Sequence, residues 1–476
     1  MHINILRWSI LLATFAVILF FSTFHLFESP QTWMDEGLIT QSAQGLLETG
    51  KAALQVAPGV YEPAWYITTG FPLTAPLAGV FAVFGVSLEA ARVMMLVFIC
   101  AFFLFLWLYA RDSIGATAGI LGFFLLVSFG PIYGNGRNVL GELPGLLFIL
   151  IALLPLINDG PLTRGKAFLA GIGVGLAVAA KPIFILFAPA LLISLLLRSR
   201  ELGLGRVFVY GALGTVLPLV IWVFTQFEFG SVTLDQVLAV YANPYEVDIA
   251  QAFSTNIVRF FTETQAIYFL VTLLVWILSY IVRRIRHETI SLVEEVLLLF
   301  SLFIFLAYLR TAGYYRYFFP GQVFALLYFP QALWHLLGRR SLILSRAIIL
   351  VVCALIIFQL YETAYKSWVA EHYYATRTAS LEKYFASLPK EKEIFIYQAP
   401  EIVPFVGKRP LYQYTEILPS VRAGKENQER VRSGIAPLVI TQEIIFLANK
   451  DTIFELYQPI EKIDDYVVLA PAESKI

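Results

Sequence analysis

Apolar runs of roughly bilayer length recur along most of this chain, and they restrict what it can fold into. Backbone in lipid must satisfy its hydrogen bonds internally, and about 20 consecutive apolar residues do so as a spanning helix. Such runs fall near 8–27, 90–110, 115–133, 139–157, 167–180, 183–198, 207–227, 264–282, 291–309, 318–337 and 345–361. The pieces 167–180 and 183–198 are short, and Lys181-Pro182 divides them. Of 476 residues, 58% are hydrophobic and 14% charged, and the mean hydropathy is +0.73. That composition cannot cover a water-soluble surface. The net charge of +0 gives no basis for a nucleic-acid partner.

The N-terminus has the outline of a signal peptide, with Arg7 before an apolar run to Phe27. The run is long enough to span, and Glu28-Ser29-Pro30 follows it in place of a small-residue cleavage site. It is therefore expected to be an uncleaved first span. The apolar stretch Phe71–Gly85 carries Pro72 and Pro76. If it does not span, 13 of the 20 basic residues before position 362 fall on the side of the N-terminus; if it does, nearly all fall on the other side. The positive-inside rule favours a surface helix or partly embedded hairpin there. The expected protein is an all-α polytopic protein of the plasma or inner membrane with about 11 spans. Its N-terminus is cytoplasmic, and outer juxtamembrane helices lie in the loop 28–89.

Charge density changes near Tyr361. Residues 1–361 hold 38 charged side chains, and the shorter 362–476 holds 30. The tail is expected to be a small extracytoplasmic α/β domain, with a helix at Ala370–Leu388 and strands at Glu393–Gln398, Leu438–Thr441 and Tyr466–Leu469. Cys100 and Cys353 sit in apolar runs and read as buried small residues rather than a disulfide. The five histidines show no metal-ligand spacing.

Ionisable residues at membrane depth are costly, so each is a candidate for function. In this topology four groups lie on the outer side. Asp35 and Glu36 follow the first span. They suit an N-terminal cap and dipole partner for the stretch after them, and equally a carboxylate facing a reaction cavity, as a base or a metal ligand. Arg137 and Glu142 flank the next outer turn, either as an ion pair closing it or as functional charges. Lys181 stands at a proline break, either snorkelling or facing an anionic headgroup. Arg316 and Tyr317 belong to Arg310–Pro320, a segment suited to an aromatic belt or to a phosphate clamp, where arginine binds phosphate in bidentate fashion and aromatics stack on sugar or isoprenoid. A base for a nucleophile and cations for a leaving phosphate are what sugar transfer from a lipid phosphate needs.

These residues resemble the GT-C glycosyltransferases: Asp-Glu after the first span, a long outer loop, an outer Arg followed by an acidic residue, a Lys-Pro break and a late Arg-Tyr-x-x-Pro. The likeness runs from about residue 8 to 361. It is nearest to the bacterial protein O-mannosyltransferase-like enzymes and the aminoarabinose transferase of lipid A. The resemblance implies a GT-C fold over 1–361 and inverting transfer from a polyprenyl-phosphate sugar to a protein, lipid or glycan acceptor. Asp35 matches the family's first-loop base or metal-site residue, and Glu142 the second acidic position. Asp35 and Glu142 are thus the candidates to hold a divalent cation, while Lys181 and Arg316 match basic positions near the donor phosphate. One departure stands out. The aminoarabinose branch carries Lys-Pro-Pro in the first outer loop, whereas residues 68–76 here contain no lysine. The phosphate then falls to Arg137, Lys181 or Arg316. The competing function is a transporter or flippase for a lipid-linked sugar, in which paired broken helices meet at the midplane; only one such break is evident.

Overall fold

A computed structural model describes residues 2–157, 163–198, 204–228, 230, 232–338, 341–418 and 421–472. Of the basic residues expected on the inner side, Arg200, Arg339 and Arg340 lie outside this set, as do the side chains of Arg7 and Arg206.

The expected apolar runs all form helices, and a segment of shorter elements follows the first of them. Helix α1 (His2–Thr23) leads into α2 (Met34–Thr49), a β-hairpin of β1 (Ala53–Ala57) and β2 (Val60–Pro63), and α3 (Phe71–Phe84). Gly50, with φ +76°, ends α2 in the left-handed conformation that a side chain resists. Then come α4 (Leu88–Ser113), α5 (Ala116–Val127), α6 (Gly130–Arg137), α7 (Glu142–Leu153) and α8 (Arg164–Ala180). The Ser87 hydroxyl caps α4 by accepting from the Ala90 N–H. Helices α5 and α6 meet at a 55° bend. Lys181 is extended, and Pro182 starts a 3₁₀ turn into α9 (Phe187–Leu197), so the Lys-Pro break lies where the proline demands it.

The remaining bundle is α10 (Leu204–Gln226), α11 (Leu234–Ala242), α12 (Ile249–Thr262), α13 (Thr264–Ile285), α14 (Leu292–Tyr308), α15 (Phe319–Leu336) and α16 (Leu342–Tyr365). Its core is aromatic: Trp276 stacks on Tyr328 at 4.5 Å, and the Tyr328 hydroxyl meets that of Tyr109 at 2.5 Å. Among the described residues, four helices are long and apolar enough to cross a bilayer, or five if the bent α5–α6 pair is one span. Shorter apolar helices among the described residues include Leu12–Thr23, Glu142–Leu156 and Pro182–Leu197, so length and composition alone do not supply eleven full spans. Helices α11 and α12 were not expected. Cys100 is exposed on α4 rather than buried, and both cysteines are free.

The tail combines helices with a sheet, which has more strands than its sequence displays. The run Ala370–Leu388 divides into α17 (Trp368–Glu371) and α18 (Arg377–Ser387). Six strands follow: β3 (Ile394–Tyr397), β4 (Leu411–Leu418), β5 (Val421–Ala423), β6 (Val439–Gln442), β7 (Tyr457–Ile463) and β8 (Tyr466–Pro471), in the order β5-β4-β3-β6-β8-β7. Central β3 is parallel to β4 and β6, and the outer pairings are antiparallel. The segment after β3 docks on α2. The Gln41 amide donates to the Pro400 carbonyl at 3.2 Å, and the Gln413 amide to the Gln41 Oε1 at 2.6 Å. A Cβ on Gly37 would lie 2.3 Å from the Pro400 carbonyl oxygen, so only glycine allows this approach. The sheet thus clamps the helix that carries Asp35.

Candidate active site

Helix α2 begins at Met34, with Trp33 at the N-cap and no side-chain cap bond, so Asp35 lies in the first turn and does not cap the helix. Its carboxylate pairs instead with the Arg316 guanidinium, contributed by a turn 281 residues later. Arg316 sits in an aromatic box, 4.9 Å from the Trp33 ring centroid, 5.5 Å from Tyr314 and 5.4 Å from Tyr317. Its Nη2 donates to the Tyr245 hydroxyl at 3.1 Å, which also accepts from the Tyr317 hydroxyl at 3.2 Å. Burial disfavours the Arg316 charge, but Asp35 and Glu142 outweigh it and hold the guanidinium well above its ordinary pKa. Burial also raises the Tyr245 phenol, which keeps its proton.

Asp35, Lys181, Arg316, Tyr245 and Tyr317 line one cavity of about 70 Å³. Its roof includes Pro244 from the α11–α12 turn and Ile417 and Leu418 from β4. It has room for a few waters and not for a sugar phosphate. Behind Lys181, Glu142 is buried and stands 3.5 Å from the Lys181 ammonium. Neither Glu142 oxygen accepts a hydrogen bond from a described residue. Arg316 also borders a second, larger cavity of about 750 Å³. Its lining is mainly apolar, with Phe129, Tyr268, Val271, Leu355 and Phe358 among its residues.

Two expected site residues lie elsewhere. Glu36, one residue from Asp35, is wholly buried and takes a bidentate contact from Arg92, at 3.0 Å from Nε and 2.8 Å from Nη2. The Val139 N–H also donates to Glu36, and Arg92 goes on to the carbonyls of Leu26, Phe27 and Pro30. This pair joins α2, α4 and the α6–α7 turn and lines neither cavity. Arg137 is fully buried, donating to the carbonyls of Phe21 (3.3 Å) and Phe24 (2.7 Å). It does not pair with Glu142, because Lys181 takes that partner.

Tyr245, Trp33 and Arg92 join these residues without a signal in the sequence that points to them. Trp33 precedes Asp35 by two residues. Tyr245 lies in a polar loop with no periodic signal, and Arg92 resembled an ordinary first-turn residue of a span.

Asp35 and Glu142 are the residues expected to hold a divalent cation. Asp35 and Glu142 each face a basic side chain, and the described residues contain no group of three or more His, Cys, Asp or Glu able to hold a metal ion.

The profile of the dolichyl-phosphate-mannose-protein mannosyltransferase family matches residues 73–224. No curated protein matches the chain significantly by sequence. Among solved structures, ArnT from Cupriavidus metallidurans bound to undecaprenyl phosphate is similar at a TM-score of 0.65 and 14% identity, over 98% of each chain. The Archaeoglobus fulgidus oligosaccharyltransferase in complex with zinc and sulfate is similar at 0.60 and 14% identity, over 93% of this chain and 69% of that one. The same archaeal enzyme with an inhibitory peptide and a dolichol-phosphate is similar at 0.53 and 13% identity, over 98% of this chain and 74% of that one. At these identities it is the fold that is shared, and it extends from the first helix into the C-terminal sheet. The chain thus has the fold of ArnT and of the archaeal oligosaccharyltransferase, and about a third of it matches the mannosyltransferase family profile.

Proposed function

We propose that this protein is a membrane glycosyltransferase that moves a sugar from a polyprenyl-phosphate donor to an acceptor on the outer face of the plasma or inner membrane. One observation carries the reading: a single cavity brings together Asp35, Arg316 and Lys181, a base and two cations drawn from distant parts of the chain. The larger apolar cavity reaches the same Arg316 and is the natural seat for an isoprenoid chain. A polyprenyl phosphate with its headgroup at Arg316 would leave the sugar beside Asp35. The relatives found bound to undecaprenyl phosphate and to dolichol-phosphate agree with this donor class.

The chemistry follows from the pairing. While the two are paired Arg316 neutralises Asp35, and neither is free to act. A donor phosphate competes for the guanidinium, and the fork geometry of arginine suits it. Asp35, released, accepts the proton of the acceptor hydroxyl as that oxygen attacks the anomeric carbon. The bond from the anomeric carbon to the phosphate oxygen breaks, its electron pair stays on phosphate, and Arg316 and Lys181 take up the charge. Attack opposite the leaving phosphate inverts the anomeric centre. Glu142 holds the Lys181 ammonium toward the cavity.

The reading also takes the apolar helices as about eleven spans, the N-terminus as cytoplasmic and the 362–476 domain as extracytoplasmic, resting over the site. Residues 1–361 form the transfer domain, with 28–89 as its first outer loop. Neither the family match nor the structural likenesses support a transporter or flippase. The test is transfer of labelled sugar from polyprenyl phosphate in membranes carrying Asp35→Asn or Glu142→Gln. Full activity in both variants overturns the assignment.

A further inference from the structure

The turn that presents Arg316 runs from the end of α14 to the start of α15, and much of its shape comes from α12. Asn256 of that helix is buried, and its side-chain amide donates to the carbonyls of Tyr308 (3.2 Å), Leu309 (3.3 Å) and Thr311 (2.9 Å). Carbonyls at the end of a helix have no intrahelical donor, so one amide here stands in for the missing turn. One helical step on, Arg259 donates to the Gly313 carbonyl and, through Nε, to Glu263 at 2.8 Å; Glu263 in turn accepts from the Tyr315 hydroxyl. Phe260 packs edge-on to Tyr308 at 5.5 Å. The fit leaves no slack. Gly313 has φ +82°, and a Cβ there would lie 2.1 Å from Arg259 Nη1 and 2.7 Å from Asn256 Oδ1.

From this geometry we infer that Asn256 is a positioning residue for Arg316, with Arg259 as the second fixture of the same turn. The inference rests on the reading of Arg316 as the donor-phosphate clamp. Asn256 lines neither cavity and touches no reacting group. It acts by fixing the carbonyls five to eight residues before Arg316, and with them the plane of the guanidinium fork. A bidentate clamp tolerates only small angular error, so a loosened turn weakens the phosphate contact without unfolding the bundle.

The test uses the full chain in nanodiscs, with a labelled polyprenyl-phosphate sugar for transfer and undecaprenyl phosphate for binding. Asn256→Ala is expected to lower kcat/KM on the order of tenfold and to weaken undecaprenyl phosphate binding by a similar factor. Arg316→Lys, which keeps charge and loses the fork, should do the same or more. The deciding variant is the double one: Asn256→Ala is expected to cost nothing further once Arg316 is lysine. Losses that multiply in the double variant, or an unchanged Asn256→Ala enzyme beside an impaired Arg316→Lys enzyme, overturn the inference and leave the proposed function standing. A fully active Arg316→Lys enzyme that still binds undecaprenyl phosphate normally removes the clamp itself and counts against the proposed function. If Asn256→Ala fails to fold, Arg259→Lys replaces it in the same cycle, since lysine still faces Glu263 but cannot also hold the Gly313 carbonyl.

Discussion

Among the described residues a buried charge cluster stands near each end of this bundle, and of these two the one at Asp35 lines a cavity. At the end expected to face the cytoplasm, Glu295 accepts from Arg198 at 3.0 Å, Tyr280 at 2.6 Å and Arg284 at 2.5 Å, while Glu294 accepts from Arg283 at 2.5 Å. Glu295 is matched by two arginines and a tyrosine, and Glu294 by Arg283. At the other end, Glu142 has one cation at 3.5 Å and no hydrogen bond from a described residue, and Asp35 has a single cationic partner shared with a cavity. A buried ion pair is expensive unless it is fully hydrogen-bonded, and a saturated pair has nothing left to offer a substrate. Incomplete satisfaction beside a cavity is what supports the site proposed at Asp35 and Glu142. Glu36 and Arg92, close to the site, belong with the saturated kind.

The contrast is broken or sharpened first at two neighbouring residues. Asp35→Asn is expected to lower transfer by about 10²–10⁴-fold, the usual worth of a positioned base, while the thermal midpoint stays near wild type. Arg92→Ala should do the reverse. It strands the Glu36 carboxylate without its counter-ion, and the cost is ~3–5 kcal/mol of stability. Poor recovery of folded protein, with near-normal turnover in whatever folds, is the expected result. Parallel thermal melts and activity measurements decide both. A well-folded but inactive Arg92→Ala protein would move the Glu36 pair into the catalytic group.

That pair of predictions also marks the limit of what could be seen in the sequence. The apolar runs and the Lys181-Pro182 break were legible because they are local: composition and a missing backbone N–H act within one segment. Asp35 and Glu36 were not separable. Adjacent helical residues point about 100° apart, and which of them meets a cavity depends on partners 56 and 281 residues away. Arg316 was legible as a basic residue in an aromatic segment, but its aim was not, since the residues that fix it sit on α12. The hairpin at 53–63 and strands β4, β5 and β7 were missed for a similar reason. The hairpin strands and β5 are short, β4 is buried without alternation and β7 is exposed between its ends, so no alternating pattern announces them.

The saturated cluster offers a smaller effect. Glu295→Gln keeps the shape of the side chain but removes a charge that Arg198 and Arg284 share. Leaving those donors partly unmatched should cost ~1–3 kcal/mol of stability. Transfer per folded molecule should stay within about twofold, because nothing at that end contacts either cavity. A tenfold loss of kcat with unchanged stability would show that the two ends are coupled, and the division between them would fail.

The smallest expected effect lies where the C-terminal domain meets the membrane bundle. Glu382 of α18 holds its proton up to about 7, first because its carboxyl hydrogen-bonds to Glu89 at the start of α4, then through burial and the charges of Glu89 and Glu28. Its pKa is raised in the folded protein, so the folded state binds the extra proton. The stability it contributes is fully present below the unfolded value near 4.5 and is lost as pH rises through about 7. Glu382 is largely solvent-exposed, which screens the interaction, and the swing should be under about 1 kcal/mol. A thermal midpoint that falls between pH 5 and 8, and a flatter profile in Glu382→Gln with the gain at the alkaline end, is the expected outcome. Because this contact joins the two domains and lies apart from both cavities, the pH dependence of transfer should not follow it. If removing Glu382 shifts the activity profile as well, the C-terminal domain is transmitting its docking to Asp35 through α2, and the site would have to include the clamp that Gly37 and Pro400 form.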